Sequence, residues 1–236
     1  MIPWQNATAT LLAAILTQWA FMRYYAIPPQ MLSALNTSLS IILLLHTGHW
    51  LWMALAAFIA IASKFLARYR GRHVFNPSNI GIVVLLLMTD ATWVTHGKWG
   101  QAMWLALLLA GFGLVRLLGW RQMISSLVFL GVFSCLVVAR AVWLGDPWQI
   151  PLHQLQNGAL LVFTFFMLSD PMTTPRSPAG RILFGGWVAL LGWVLQFVWF
   201  IPNAFLYALA FSSPLVILIN LHFTGMAYHW PTRSQS

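Results

Sequence analysis

Asp90, Asp146 and Asp170 are the only acidic residues in a chain of 236, which also holds 12 lysines and arginines. Charged residues reach 6% of the total and hydrophobic ones 60%, whereas a water-soluble domain is roughly one quarter charged. Folding at this length still leaves much of the chain facing outward. A surface built from this composition is apolar, so the chain is expected to sit in a lipid bilayer. Hydrocarbon offers backbone amides no partner, so only helices or closed barrels cross it. The apolar runs are long and lack the alternation of barrel strands, which selects helices.

The runs are Ala7–Tyr24, Met31–His46, His49–Ala67, Ser78–Val94, Trp99–Leu118, Ile124–Leu144, Asn157–Leu168, Ile182–Phe200 and Asn203–Tyr228. The expected fold class is thus an all-α, polytopic membrane helix bundle with about nine transmembrane segments. Two runs are short or interrupted. One turns polar at Thr89 and Asp90, and the other stops at Ser169-Asp170-Pro171. Such segments resemble the broken helices that line protected sites in transporters, or else ordinary helices that tilt or re-enter.

Placing the N-terminus outside puts Arg23, Lys64, Arg68, Arg70, Arg72, Arg116, Arg121, Arg176, Arg181 and Arg233 near cytoplasmic ends, with only Lys98 and Arg140 opposite. That bias follows the positive-inside rule and explains the net charge of +9 without nucleic acid, so N-out/C-in is the expected topology. The expected location is a bacterial inner (cytoplasmic) membrane, crossed several times. Met1-Ile2-Pro3-Trp4-Gln5 has no basic region of the kind that opens a cleavable signal peptide. No soluble domain and no phosphate-cradling glycine loop is evident, which argues against conventional binding of NADH or ATP. A single Cys135 excludes a disulfide scaffold.

Polar residues concentrate in two loops, both cytoplasmic in this topology. Ser63 to Gly81 begins with Lys64, Arg68 and Arg70, which read as orientation signals meeting lipid phosphates. Asn76-Pro77 then forces a turn and opens a short helix whose free N–H groups point toward His73 and Asn76. Asn76 alone caps such a helix, yet His73, Asn76 and Asn79 offer more polar atoms than one cap requires. In the second loop, Leu168 to Arg181, Asp170 forms either a salt bridge to Arg176 or Arg181, or an Asp-Pro turn, or a functional group.

Gly71-Arg72-His73-Val74-Phe75-Asn76-Pro77-Ser78-Asn79-Ile80-Gly81 resembles the G-[RK]-x-x-x-N-P-x-x-x-G signature of the flavin-carrying membrane subunits NqrB and RnfD. These belong to the sodium-translocating NADH:quinone reductase and the Rnf electron-transport complexes. Phe165-Phe166-Met167-Leu168-Ser169-Asp170-Pro171 resembles their F-F-M-x-[ST]-D-P signature. The resemblance implies two inverted repeats, with approximate halves 1–119 and 120–236, similar to urea-transporter architecture, and a flavin between helices. It implies a non-covalent riboflavin or FMN near the cytoplasmic side, contacted by His73 (where the relatives have an Asn), Asn76 and Asp170. Arg72, Asn79 and Ser169, within the same motifs, complete the candidate binding set. The Ser-Gly-Ala-Thr attachment sequence of the relatives' covalent FMN is missing, Asp90-Ala91-Thr92 being the nearest fragment, so covalent FMN is not expected.

Other polar groups carry less. His46, His49, His96, His153, His222 and His229 form no H-x-x-x-H pair within a run, and no metal site is expected. Trp50, Trp52, Trp99, Trp120, Trp143, Trp148 and Trp230 fall near run ends, as an aromatic belt requires, while Trp187, Trp193 and Trp199 recur along one run. Three scattered acids make no acid–base pair, so no catalytic residue is assigned. The expected function is electron transfer through a bound flavin, as an oxidoreductase subunit acting with partner proteins among membrane lipids. The alternatives are a small-solute or flavin transporter or channel on the same interrupted-helix fold, and a scaffold subunit.

Overall fold

A computed structural model describes residues 3–28, 30–94 and 123–223, together with Gly111, Arg121 and Gly225. The predicted run Trp99–Leu118 lies outside the described residues except for Gly111, as do Lys98, Arg233, His96, His229 and Trp230.

The elements in chain order are α1 (Trp4–Tyr24), α2 (Met31–Leu44), β1 (Leu45–Thr47), α3 (Trp50–Leu66), β2 (Arg68–Tyr69), β3 (Arg72–His73), α4 (Pro77–Met88) and β4 (Thr92–Val94). The second group is α5 (Ile124–Leu144), α6 (Gln149–Leu155), α7 (Gly158–Val162) running into a π-helical turn (Phe163–Met167), α8 (Pro178–Phe197), α9 (Ala204–Ser212) and α10 (Leu215–His222). Helix α1 packs on α3 and α5 packs on α8, while α4 touches α9 and so joins the two groups. Small residues allow the close approaches. A Cβ on Gly81 would lie 2.5 Å from the Ala56 carbonyl of α3, and one on Gly185 would strike the Ser125 backbone of α5.

Polarity is distributed inside out. Thr10, Gln18, Ser38, Ser125, Ser126 and Thr164 are buried, while Leu12, Leu16, Trp19, Leu39, Phe58, Leu183 and Leu190 are exposed. An outer skin of large apolar side chains over a polar-studded interior suits hydrocarbon and not water. Among the described residues, Ile124–Leu144 and Pro178–Phe197 are each long and apolar enough to cross a membrane. A third crossing results if α9 and α10, bent by 50°, count as one.

Several run boundaries move. The runs predicted over Met31–His46 and Ser78–Val94 stop as helices at Leu44 and Met88. Their ends form an antiparallel ladder instead, with Leu45 opposite Val94, His46 opposite Trp93 and Thr47 opposite Thr92. The reason is local: Thr89 and Asp90 break the apolar pattern, and Thr92-Trp93-Val94 alternates buried, exposed, buried. The run predicted over Asn203–Tyr228 breaks between Ser212 and Leu215, where Pro214 opposes helix continuation. Helix α8 starts earlier than Ile182 because Ser177 caps it by accepting from Gly180 N at 3.0 Å, with Pro178 at its first position. The two short segments remain short. At 12 residues α4 rises about 18 Å, against roughly 30 Å of hydrocarbon.

The β1–β4 ladder fixes relative direction. The start of α3 and the ends of α2 and α4 gather at that end of the bundle, where Asn6 Nδ2 at the start of α1 also donates to the Thr47 carbonyl at 3.0 Å. The two polar loops lie together at the other end.

Candidate functional site

The first loop begins with a tight hairpin. β2 and β3 pair with Arg68 opposite His73 and Tyr69 opposite Arg72, leaving Arg70 and Gly71 as a two-residue turn. Both have positive φ, +48° and +81°, the pattern of a type I′ turn. After the hairpin Asn76 caps α4: its Oδ1 accepts from Asn79 N at 3.1 Å and from Ser78 Oγ at 2.8 Å.

The second loop is prepared by the π-helical turn, in which Leu168 N bonds to the Phe163 carbonyl at 2.9 Å. Widening a helix disrupts its carbonyl ladder, and inside a membrane each freed group needs an internal partner. Side chains supply them. Ser126 Oγ donates to the Thr164 carbonyl at 2.6 Å, Ser169 Oγ donates to that of Phe165, and Asn76 Nδ2 donates to that of Met167 at 3.1 Å.

Asn76 therefore ties the two loops together, and Asp170 completes the tie. His73 Nε2 lies 3.2 Å from Asp170 Oδ2, and an ionised carboxylate only accepts, so the imidazole donates there. Asn76 Nδ2 also approaches Oδ2, at 3.4 Å, and Met172 N donates to Oδ1 at 2.9 Å. Burial pushes the Asp170 carboxyl up, but the hydrogen bond and charge of His73, the Met172 N–H and the Lys64 cation outweigh it and hold the group below the usual carboxylate range. Arg72 reaches across as well, donating from Nη2 to the Pro171 and Thr174 carbonyls at 2.5 and 2.9 Å.

Of the candidate residues, His73, Asn76 and Asp170 thus meet, and Arg72 clamps the backbone beside them. Asn79 and Ser169 turn elsewhere. Asn79 Nδ2 donates to the Leu206 carbonyl of α9 at 3.1 Å, and Ser169 bonds back into its own turn. The salt bridge from Asp170 to Arg176 or Arg181 is not formed, because His73 and the Asn76 amide take its Oδ2. Arg181 spends its donors on the Pro175 carbonyl at 2.8 Å and on the Arg121 carbonyl.

Lys64 needs a correction. Read from the sequence as a lipid-facing orientation signal, it is only 9% exposed and points inward, donating to Gln18 Oε1 at 3.0 Å and Ser33 Oγ at 2.6 Å. A signal was present: Lys64 lies three and four residues beyond Ile61 and Ala60, so it continues the buried stripe of α3. Arg68 and Arg70 are exposed, as an orientation role requires.

A cleft opens beside the bridge, between the β2–β3 hairpin, the segment from Met172 to Arg176, and α10. It encloses about 50 Å³ before widening to its mouth. One water needs roughly 10–15 Å³ on this measure, so the enclosed part admits a compact polar group and not a fused ring system.

An apolar-skinned helical bundle with a polar interior, whose two short helical segments are bridged at one end, is an integral membrane protein of helical type. The chain belongs to the NQR2, RnfD, RnfE family, whose profile matches residues 87–228. That stretch holds the Ser169-Asp170-Pro171 loop, while the Gly71–Gly81 motif precedes it. An ion-translocating oxidoreductase complex subunit from Psychromonas ingrahamii is 31% identical over 135 residues, 56% of this chain and 38% of that protein. Its counterpart from Haemophilus influenzae strain PittEE is 28% identical over 152 residues, 64% of this chain and 41% of that one. The match thus spans about two fifths of the length of these curated relatives.

Proposed function

We propose that this protein is a membrane electron-transfer subunit that holds riboflavin or FMN non-covalently where its two polar loops meet. It works within a multi-subunit, ion-translocating oxidoreductase of the bacterial inner membrane, with neighbouring subunits supplying and taking electrons. The observation that carries this reading is the bridge from His73 and Asn76 to Asp170, which links residues 97 and 94 positions apart. The names of the relatives support the setting.

The donor set fits the polar edge of a flavin. His73 and Arg72 line the cleft with donor groups, and Asp170, outside that lining, accepts from His73 Nε2 and so orients the imidazole. Because the enclosed space is small, a flavin ring has to occupy the open mouth. A bound flavin supplies one- and two-electron transfer. The chain's own part is to orient it and to hold a proton at His73 Nε2, which Asp170 keeps in the donor form. Asn76, fully engaged in hydrogen bonds, positions Asp170 and the π-turn carbonyl.

The N-out/C-in topology and the inverted halves 1–119 and 120–236 belong to the same proposal. Among the described residues each half has a short helix whose start is capped by an asparagine side chain, Asn76 for α4 and Asn157 for α7. The first starts at the bridged end and the second finishes there, the opposite sense that inversion demands. The visible spectrum of detergent-purified protein tests the function. Oxidised-flavin absorbance, lost in Asp170→Ala, is expected; protein that stays colourless after equilibration with riboflavin and with FMN overturns it.

A further inference from the structure

Two guanidinium groups beside the bridge have donors without an acceptor. Arg72 Nε and Arg176 Nε are both buried, and neither has a hydrogen-bond partner among the described residues. Both residues line the cleft described above, with Arg70 and His73. They are also close enough to oppose one another: burial first and then the Arg176 charge push the Arg72 guanidinium below its ordinary value, only partly offset by Asp170.

No acidic side chain is left to relieve them. Asp170 is committed to His73, Asn76 and Met172, Asp146 pairs with Arg140 at 3.5 Å, and Asp90 lies beyond α4, toward the β1–β4 end. Like charges gathered around buried, unpaired donors are a destabilising arrangement unless an anion joins them. The enclosed volume suits a compact tetrahedral group, and guanidinium donors match phosphate oxygens in charge and geometry. Asn220 lines the same cleft, and its Oδ1 fixes the Arg176 backbone N–H at 2.9 Å.

We infer that this cleft binds a phosphate monoester through Arg72 and Arg176, with Arg70 at its mouth. Two molecules carry that chemistry at a membrane surface: a flavin mononucleotide, whose ring would sit against the adjacent bridge, and an anionic lipid with a terminal phosphate. The first source rests on the flavin reading above, and the second does not.

The test uses the full chain in phosphatidylcholine nanodiscs, titrated with riboflavin, FMN and inorganic phosphate, and in parallel nanodiscs containing phosphatidic acid. Arg176→Gln is the main variant, because Arg176 Nε has no partner to lose. FMN is expected to bind at least about tenfold tighter than riboflavin. Inorganic phosphate should compete with FMN and not with riboflavin, and Arg176→Gln should bring FMN down to the riboflavin affinity. If neither flavin binds but phosphatidic acid is enriched around the protein, and Arg176→Gln abolishes that enrichment, the anion site stands on a lipid and the flavin reading falls. If FMN and riboflavin bind equally and Arg176→Gln changes neither, with no phosphate competition and no lipid enrichment, the anion site is overturned while the flavin reading stands. If no probe binds and no lipid is enriched, both are overturned. Should Arg176→Gln misfold, Arg176→Lys and phosphate competition on the unmodified chain decide by the same criteria.

Discussion

His73 Nε2 and Asp170 Oδ2 stand 3.2 Å apart, and through that contact the hairpin before α4 is locked to the turn that ends the π-helical segment. Asp170→Ala would leave the imidazole donor and the Met172 N–H without an acceptor in a mostly buried place. The cost is about 1–3 kcal/mol. Asp170→Asn retains one acceptor oxygen and should cost less. Thermal melts in detergent are expected to rank the parent above Asp170→Asn and that above Asp170→Ala. An alanine variant melting with the parent would show that the contact contributes nothing.

Acid should undo the same contact. The folded Asp170 carboxyl is held below its ordinary value, by His73 chiefly and against the opposing effect of burial. Its stabilising contribution is therefore complete above the unfolded carboxylate value, about 4, and is lost as pH falls through the lower folded value. Melting temperature should hold level on this account between about pH 8 and 5 and fall below about pH 4. The acid limb should flatten in Asp170→Asn; an identical limb would assign the acid sensitivity elsewhere.

The polar loops were legible in the sequence for a simple reason. In a chain this apolar, His73, Asn76 and Asp170 stand out because an ionisable or amide group near hydrocarbon needs a stated partner. Which partner each takes was not legible. Asn79, three residues beyond Asn76, gives its amide to α9 and not to the bridge, because Asn76 is the cap, with extended backbone, and does not share the helical face that a spacing of three would imply. The β1–β4 ladder escaped notice because three-residue strands at helix ends give too few positions for a period of two to emerge. Pro214 did signal the break between α9 and α10, but the apolar run continued through it and hydropathy concealed the bend.

Asn76→Asp tests the double duty of Asn76. An aspartate keeps the cap acceptor for Asn79 N but loses the donor to the Met167 carbonyl, and it sets a second carboxylate where the amide now approaches Asp170 Oδ2 at 3.4 Å. Two carboxylates that close cannot both ionise at ordinary cost, so the pair retains a proton to higher pH. The variant should be less stable than the parent at neutral pH and recover part of the difference on mild acidification. Melts at pH 7.5 and 5 would register this; a difference from the parent that does not narrow at lower pH would contradict it.

Lys64→Met removes a buried cation and leaves a side chain of similar length in its place. The exchange relieves the desolvation of a buried charge but leaves Gln18 Oε1 without its donor, two effects of opposite sign on stability. Its effect on Asp170 has a definite sign, because the Lys64 charge is one of the influences that lower the carboxyl. The acid loss of stability due to Asp170 should be smaller in Lys64→Met than in the parent and level off at a higher pH, because the unfolded value that sets its onset is unchanged. An unchanged acid limb would mean that Lys64 serves only Gln18 and Ser33.

Gly81→Ala probes the packing that brings α4 to the bridge. A Cβ at Gly81 would lie 2.5 Å from the Ala56 carbonyl and 2.8 Å from Ala60 Cβ, so α3 and α4 must separate to admit it. Overpacking of this kind costs about 1–3 kcal/mol. The displaced α4 carries Asn76 at its start, so the contacts of Asn76 to Met167 and Asp170 should loosen with it. Gly131→Ala is the control: nothing lies within 4 Å of the added carbon in α5, and alanine favours helix over glycine by up to about 1 kcal/mol. Gly81→Ala should melt lower and exchange the Asn79 and Ile80 amides faster, whereas Gly131→Ala should match or exceed the parent. Equal melting of the two variants would mean that α3 and α4 do not approach as closely as the bridge requires.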